Sequence, residues 1–372
     1  MDAHHPRPLL TRGATRFKHE LQRWSGRYVL SFERWFADHF LTALGLLLVV
    51  LGINELWLYG SDLTAWDPML ISGAVTFFVG LRLALLLPDK LTETLDRLAD
   101  REVLKVSPEQ LDQFQKALAS EARVWQARGG IVVAGAILAA FVVAYGRNVF
   151  ALSGLVLLEA LAGYIAGRQI GRAALHGRLG GLLHKHGITL EVEPGHLDGA
   201  AGLRPVGDLY FFQAMLLALP AAFLAIWWLL IPAFDRYAEW RTPYMALLVI
   251  VLAFENLAFI APMRAFHQEM QRQKRTLVAQ ADQLSHRVQS LQQKLTDAES
   301  TDERNAFKEQ LAHMTERYWE IERMPTWPVD ARVRRRFTIN NAALFLPILG
   351  QSIHLSGAWQ ATLHEISNIL SQ

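Results

Sequence analysis

Along this chain, apolar residues gather into six long stretches, at 40–60, 68–87, 130–146, 148–167, 209–234 and 242–263. Each approaches the ~20 residues a helix needs to cross a bilayer. None shows the two-residue alternation of a half-buried strand or keeps a polar face. The third and fifth contain no Asp, Glu, Lys or Arg. Buried helices of a water-soluble protein are shorter and amphipathic, so the pattern predicts six membrane-spanning helices.

The polar parts between them carry a helical period. In the loop 88–129, Leu91, Leu95, Leu98 and Val103 mark one face, and Leu111, Phe114, Leu118 and Val124 a second helix. Ser107 followed by Pro108 and Glu109 reads as an N-cap with Pro at the first helical position. After residue 263, Leu277, Ala281, Leu284, Val288, Leu291, Leu295 and Ala298 alternate steps of four and three, a heptad seam. The polar run 299–304 breaks it, and Phe307, Leu311, Met314, Tyr318 and Ile321 resume it. A coiled-coil hairpin follows, with an outgoing arm that reaches roughly 50 Å at 1.5 Å per residue. Pro262 is expected to kink this arm at the membrane edge. Its two readings are a stalk for oligomerisation or partner docking, and a hairpin folded on its own cytoplasmic loops.

Composition changes the picture by exclusion. Of 372 residues, 52% are hydrophobic and 19% charged, against about a quarter charged in a soluble domain. Ordinary soluble enzymes and disordered scaffolds are thereby disfavoured. Cysteine is absent, which removes disulfides, thiol nucleophiles and Cys-ligated metals. The net charge of +2 says little, but its distribution says much. On one side of the six stretches lie 33 Lys and Arg residues, in the N-terminal segment, loops 88–129 and 168–208 and the region after 263; 3 lie on the other, and Arg82 falls inside a stretch. The positive-inside rule therefore puts the N-terminus and the arm in the cytoplasm. Trp57, Tyr59 and Trp66, with Tyr237, Trp240 and Tyr244, fit an aromatic belt at the outer face.

The chain thus reads as an all-α polytopic membrane protein. Residues 1–38 form a cytoplasmic amphipathic segment, and 39–263 a six-helix membrane domain with loops 88–129 and 168–208. Residues 264–324 form the hairpin, and 325–372 a Pro/Trp turn, a basic cluster and a last hydrophobic segment. In the first part, Leu21, Trp24, Tyr28, Phe32, Trp35 and Phe36 interleave with Arg23, Arg27 and Arg34, as in a helix lying on the cytoplasmic leaflet. A mitochondrial presequence is the alternative. In the last part, Arg332, Arg334, Arg335 and Arg336 suit anionic headgroups. Residues 337–363, free of charge, form either a seventh span or a re-entrant segment.

Candidate chemistry lies in polar groups where lipid is expected. Glu55, Arg82, Glu159 and Glu255, with Asn256 beside the last, fall inside apolar stretches. Such charges are costly and pair or face water, so they mark an ion or proton pathway or a structural salt bridge. Arg82 is placed to meet Glu255 or Glu159, while Glu55 snorkels to the headgroups. Gly163, Gly167 and Gly171, four apart, form a strip for close helix packing.

The loop 168–208 holds His176, His184, His186 and His196, with Asp198 two residues beyond the last. His184, His186, His196 and Asp198 are zinc-type ligands, although their spacing matches no standard zinc motif. The stretch His196, Leu197, Asp198, Gly199, Ala200, Ala201, Gly202, Leu203, Arg204, Pro205, Val206, Gly207, Asp208 is a tight, specified turn in which Asp198 suits an Asx-turn or helix cap. It resembles a loop of uncharacterised bacterial multi-pass inner-membrane proteins, which read His-Pro-Asp, then Gly-Gly-Leu, then Gly. Here Leu197 stands for the proline and Ala201 for the first glycine of the pair. The Pro325-Thr326-Trp327-Pro328 turn is similar to theirs as well. The resemblance covers under a tenth of the chain and implies a bacterial inner-membrane location without an activity.

Phosphate-binding glycine loops, nucleophile elbows and zinc-protease motifs are missing from the sequence. The expectation is a non-enzyme with no cofactor and no nucleic-acid partner. Its partners would be the bilayer, anionic headgroups, further copies of itself and a cytoplasmic protein on the hairpin. Functionally the chain reads as an oligomeric, channel-like permeation protein, gated through the arm and the His/Asp loop. The alternatives are a membrane-anchored scaffold or signalling component, and a proton-coupled transporter.

Overall fold

The computed structural model describes residues 33, 35–63, 65–145, 153–297 and 300–352. They are helical almost throughout. The helices are α1 (Phe40–Tyr59), α2 (Pro68–Ala84), α3 (Leu87–Asp100), α4 (Pro108–Tyr145), α5 (Ser153–His176) and α6 (Leu179–Lys185), followed by α7 (Arg204–Leu230), α8 (Arg241–Asp297), α9 (Thr301–Glu322) and α10 (Ala331–Ser352). Among the described residues, five helical stretches are long and apolar enough to cross a membrane: Phe40–Tyr59, Pro68–Asp100, Pro108–Val142, Arg204–Ala233 and Asp235–Ala279. The expected fourth span falls on α5, outside those five. One short antiparallel pair, β1 (Leu104–Lys105) with β2 (Thr189–Leu190), sets Leu104 opposite Leu190. Two-residue strands have no period to read, and the sequence predicts none here.

Contacts divide the chain into two units, 1–86 with 118–172, and 87–117 with 173–372. In the first, α2 starts cleanly because the Asp67 carboxylate accepts the Leu70 N–H at 2.9 Å and Pro68 occupies the first turn. Phe36 is fully buried against Phe40 and Phe78. Glu33 is buried too. Glu33 and Phe36 face inward while Trp35 is exposed; positions 1–32 and 34 of the expected amphipathic segment lie outside the described residues.

Backbones of α4 and α5 approach closely in this unit. A Cβ on Gly129 would collide with the Gly167 carbonyl and Gly171, one on Gly171 with the Trp125 carbonyl, and one on Gly163 with the Ile137 side chain. The three spaced glycines of α5 thus meet α4, and Gly129, read from sequence as a loop end, lies inside a 38-residue helix.

The second unit is organised around α7 and α8. α8 runs 57 residues without interruption, so the apolar stretch and the polar arm that follows it are one helix. It stays helical through Pro262, the position where a kink is expected, and a proline kink is compatible with an unbroken helix. Leu248, Leu252, Phe259, Met263, Phe266 and Met270 form a buried stripe on both sides of that proline. Tertiary packing holds a helix whose local sequence would break it. α9 returns beside α8, and Lys274 Nζ donates to the carbonyls of Glu322 and Met324 at 2.9 and 2.8 Å, closing its C-terminus. Of the expected seam, Leu291 and Ile321 are buried, while Leu277, Val288, Leu295, Leu311, Met314 and Tyr318 are half-buried.

α10 settles beside α7 and α8. Asn340 touches Met215 of α7, and Leu344 packs on the cluster that Ala221, Leu224 and Ala225 form with Leu248 and Leu252. α10 runs antiparallel to α8: Phe337 stacks on Phe259 with centroids 4.1 Å apart, and Asn341 reaches Glu255.

Candidate functional site

Glu255 sits on the buried stripe of α8 with a relative exposure of 0%. Its Oε1 accepts from Asn341 Nδ2 at 3.3 Å, while Oε2 has no hydrogen-bond partner among the described residues. Asn341 Oδ1 in turn accepts from Asn256 Nδ2 at 2.8 Å, and that amide also bonds the Leu252 carbonyl at 2.8 Å. Asn341 Nδ2 is shared with the Phe337 carbonyl at 3.1 Å. Two asparagines from different helices therefore orient a carboxylate that keeps one bare oxygen in an apolar segment. Such an oxygen can take a proton or supply a ligand to a desolvated cation. Arg82 is expected from sequence to meet Glu255 or Glu159. The partner that Glu255 has among the described residues is Asn341, from the segment whose placement the sequence left open.

The second concentration of polar chemistry lies where α7 and α10 begin. Asp198 is the organiser, with a side chain only 6% exposed. Its Oδ1 accepts the N–H groups of Ala200 and Gly202 at 2.9 and 3.0 Å, and Oδ2 accepts the Arg204 N–H at 3.3 Å. Arg101 Nη1 adds a charged donor at 3.0 Å, and His196 Nδ1 closes the turn 3.2 Å from the Asp198 nitrogen. Burial alone would raise the carboxyl pKa; the N–H groups of Gly202, Ala200 and Arg204, with nearby His196, outweigh it and hold the pKa below the ordinary value. The chain reaches this geometry through a left-handed backbone at Ala201 and Gly202, φ +52 and +89. At Gly202 a Cβ would also strike the Val103 side chain.

The Pro-Thr-Trp-Pro turn docks on this loop. A Cβ on Gly207 would strike the Pro328 carbonyl, and Arg204 Nε lies 3.6 Å from Asp330 Oδ2. Asp330 Oδ1 accepts the Val333 N–H at 2.7 Å and so caps α10. His267 of α8 stacks on Trp327 at 4.1 Å and bonds the Thr326 carbonyl. Gln273, further along α8, accepts the Val192 N–H at 3.0 Å. The two segments most distinctive in sequence, 130 residues apart at Asp198 and Pro328, thus form one junction. An open pocket of about 620 Å³ lies between them.

No family model, curated protein or solved structure matches this chain. Its function must be argued from its own groups.

The histidines do not converge. His184 and His186 are exposed at the end of α6, with His186 edge-on to Phe114 at 5.3 Å, while His196 serves the Asp198 turn. Among the described residues no group of three or more His, Asp or Glu side chains could hold a metal ion. Helix geometry sends residues two apart to different faces, and Asp198 is already saturated with donors. His176 is buried, its carbonyl accepting the Tyr210 hydroxyl at 2.8 Å.

Glu55 is fully buried rather than snorkelling outward. It accepts the Asp67 N–H at 2.7 Å and braces the turn into α2. Arg82 occupies the last turn of α2, where its charge complements the helix dipole. Glu159 lies on α5, with a side chain outside the described residues.

One cluster carries no sequence signal. Arg168 Nε meets Glu33 Oε1 at 3.3 Å, Arg168 Nη2 meets Gln126 Oε1 at 3.1 Å, and Arg172 Nη2 lies 3.6 Å from Glu33 Oε2. All four side chains are buried in the first unit. Arg168 and Arg172 read as ordinary positive-inside residues, and their partner Glu33 lies 135 positions from Arg168.

Proposed function

We propose that this chain is a six-span integral protein of a bacterial inner membrane, N-terminus and arm cytoplasmic, that forms an oligomeric, cytoplasmically gated ion-permeation pathway. The observation that carries the reading is the bare Glu255 Oε2 on an apolar helix, held by Asn341. A charged group kept at such depth is a functional site by default. α8 supports the gating part, since one rigid helix joins Glu255 to the arm base at Gln273 and to the Trp327 turn.

Reconstituted protein should conduct a monovalent cation or protons, and Glu255→Gln should lower flux about tenfold or more with unchanged oligomer mass. Equal flux in the variant and the parent would sink the proposal.

A second reading, a membrane-anchored scaffold, is favoured by Val278 and Trp319, large apolar side chains left exposed on the hairpin. A protein that binds a partner through that face and conducts nothing fits the scaffold.

The absence of cysteine makes the orientation directly testable. A thiol introduced by Ser61→Cys should react with an impermeant reagent added outside intact cells, and one introduced by Ser300→Cys only after permeabilisation. The opposite pattern would invert the assignment.

A further inference from the structure

We infer that the pocket between the Asp198 loop and the Trp327 turn is a binding site for the phosphate of an anionic phospholipid headgroup. The inference rests on the membrane reading but not on permeation.

Three arginines, Arg204, Arg332 and Arg334, line the pocket. The two carboxylates that share its wall are already committed: Asp198 to three backbone N–H groups and Arg101, Asp330 to the Val333 N–H and Arg204. Arg332 and Arg334 are exposed, and no ion pair to either is found among the described residues. The pocket therefore offers unspent positive charge in a planar-fork geometry suited to phosphate oxygens.

Its apolar side points to a lipid rather than a soluble phosphate. Leu197 stands on the rim fully exposed, at 102%, beside Trp327 and Val329. An apolar side chain held out by a rigid turn next to a cationic cavity matches the glycerol and acyl boundary above a headgroup. The pocket also opens at the first residues of α7 and α10, on the Lys- and Arg-rich side of the apolar segments, the level of the inner-leaflet phosphates.

Specificity separates this site from a general basic surface. Arg335 and Arg336 belong to the same run, yet neither lines the pocket. The full-length protein in a neutral detergent is titrated with dioctanoyl phosphatidylglycerol, dioctanoyl phosphatidylcholine or inorganic phosphate, with binding read by native mass spectrometry and Trp fluorescence. Phosphatidylglycerol should bind at least about tenfold more tightly than the other two probes. Arg332→Gln with Arg334→Gln should weaken it about tenfold to thirtyfold, at about 1 kcal/mol per charge. Arg335→Gln with Arg336→Gln should change it less than about threefold. Arg332→Lys with Arg334→Lys keeps charge and folding, and should lose part of the affinity because ammonium groups cannot form the fork.

Equal binding of phosphatidylglycerol and phosphatidylcholine would overturn the site. So would equal losses in the two Gln pairs. Inorganic phosphate binding as tightly as phosphatidylglycerol would overturn the lipid assignment. A protein that fractionates with membranes but shows no lipid preference defeats the pocket alone; one that binds as expected but conducts nothing defeats permeation alone.

Discussion

Replacing Asp198 by alanine is expected to cost about 3–5 kcal/mol and leave little folded protein, because it strands a buried network instead of deleting a surface charge. Three backbone N–H groups in a left-handed turn lose their acceptor at once, and Arg101 loses its counter-ion. Asp198→Asn should cost less, since one oxygen survives to serve Ala200 and Gly202 while the amide faces the Arg204 N–H and Arg101. The same carboxyl sets a pH dependence. Its folded pKa lies below the ordinary 3.8, so its contribution is complete above that value and is lost as pH falls through the folded value. Thermal unfolding in detergent should show the parent losing stability below pH ~4 and Asp198→Asn losing less over the same range. An Asp198→Ala protein as stable as the parent would remove this residue from the centre of the junction.

That residue shows how far the sequence could be read. A specified turn before α7 was legible because glycines, a proline and an aspartate each have a backbone preference of their own. What docks on the turn was not legible, since nothing local to Asp198 encodes Arg101 or the Pro328 carbonyl. The apolar helices follow the same division. The apolar stretches of α1, α2, α7 and α8 can be counted along the chain against the ~20 residues a bilayer crossing needs. The continuation of α8 through Pro262 depends on packing by Leu252, Phe259 and Phe266, and so does the pairing of Glu255 with Asn341. Asn341 could have been suspected, as a polar residue in an otherwise apolar run. Assigning its partner required knowing that α10 lies antiparallel to α8. Glu55 taught the reverse lesson, because a depth argument sent it outward while one backbone N–H at Asp67 kept it in.

The largest sign contrast is expected among glycines that look alike in sequence. Gly171→Ala and Gly129→Ala should each destabilise the protein by about 2–4 kcal/mol, because the new methyl meets backbone and not a side chain that can rotate away. At Gly171 the obstacle is the Trp125 carbonyl, and at Gly129 it is the Gly167 carbonyl with the Gly171 Cα. Relief requires α4 and α5 to separate, which forfeits the dispersion contacts along the seam. Gly135 lies on α4 six residues beyond Gly129, and Gly45 lies on α1; a Cβ at either meets nothing within 4 Å. There the substitution removes backbone freedom from a helix interior at no steric cost, and should raise stability by about 0.5–1 kcal/mol. Unfolding of the four variants in mixed detergent micelles gives the comparison directly. Four similar shifts would mean that α4 and α5 do not approach as closely as Gly129, Gly167 and Gly171 allow. Opposite signs within one helix, at Gly129 and Gly135, would show that these glycines are kept for contact and not for flexibility.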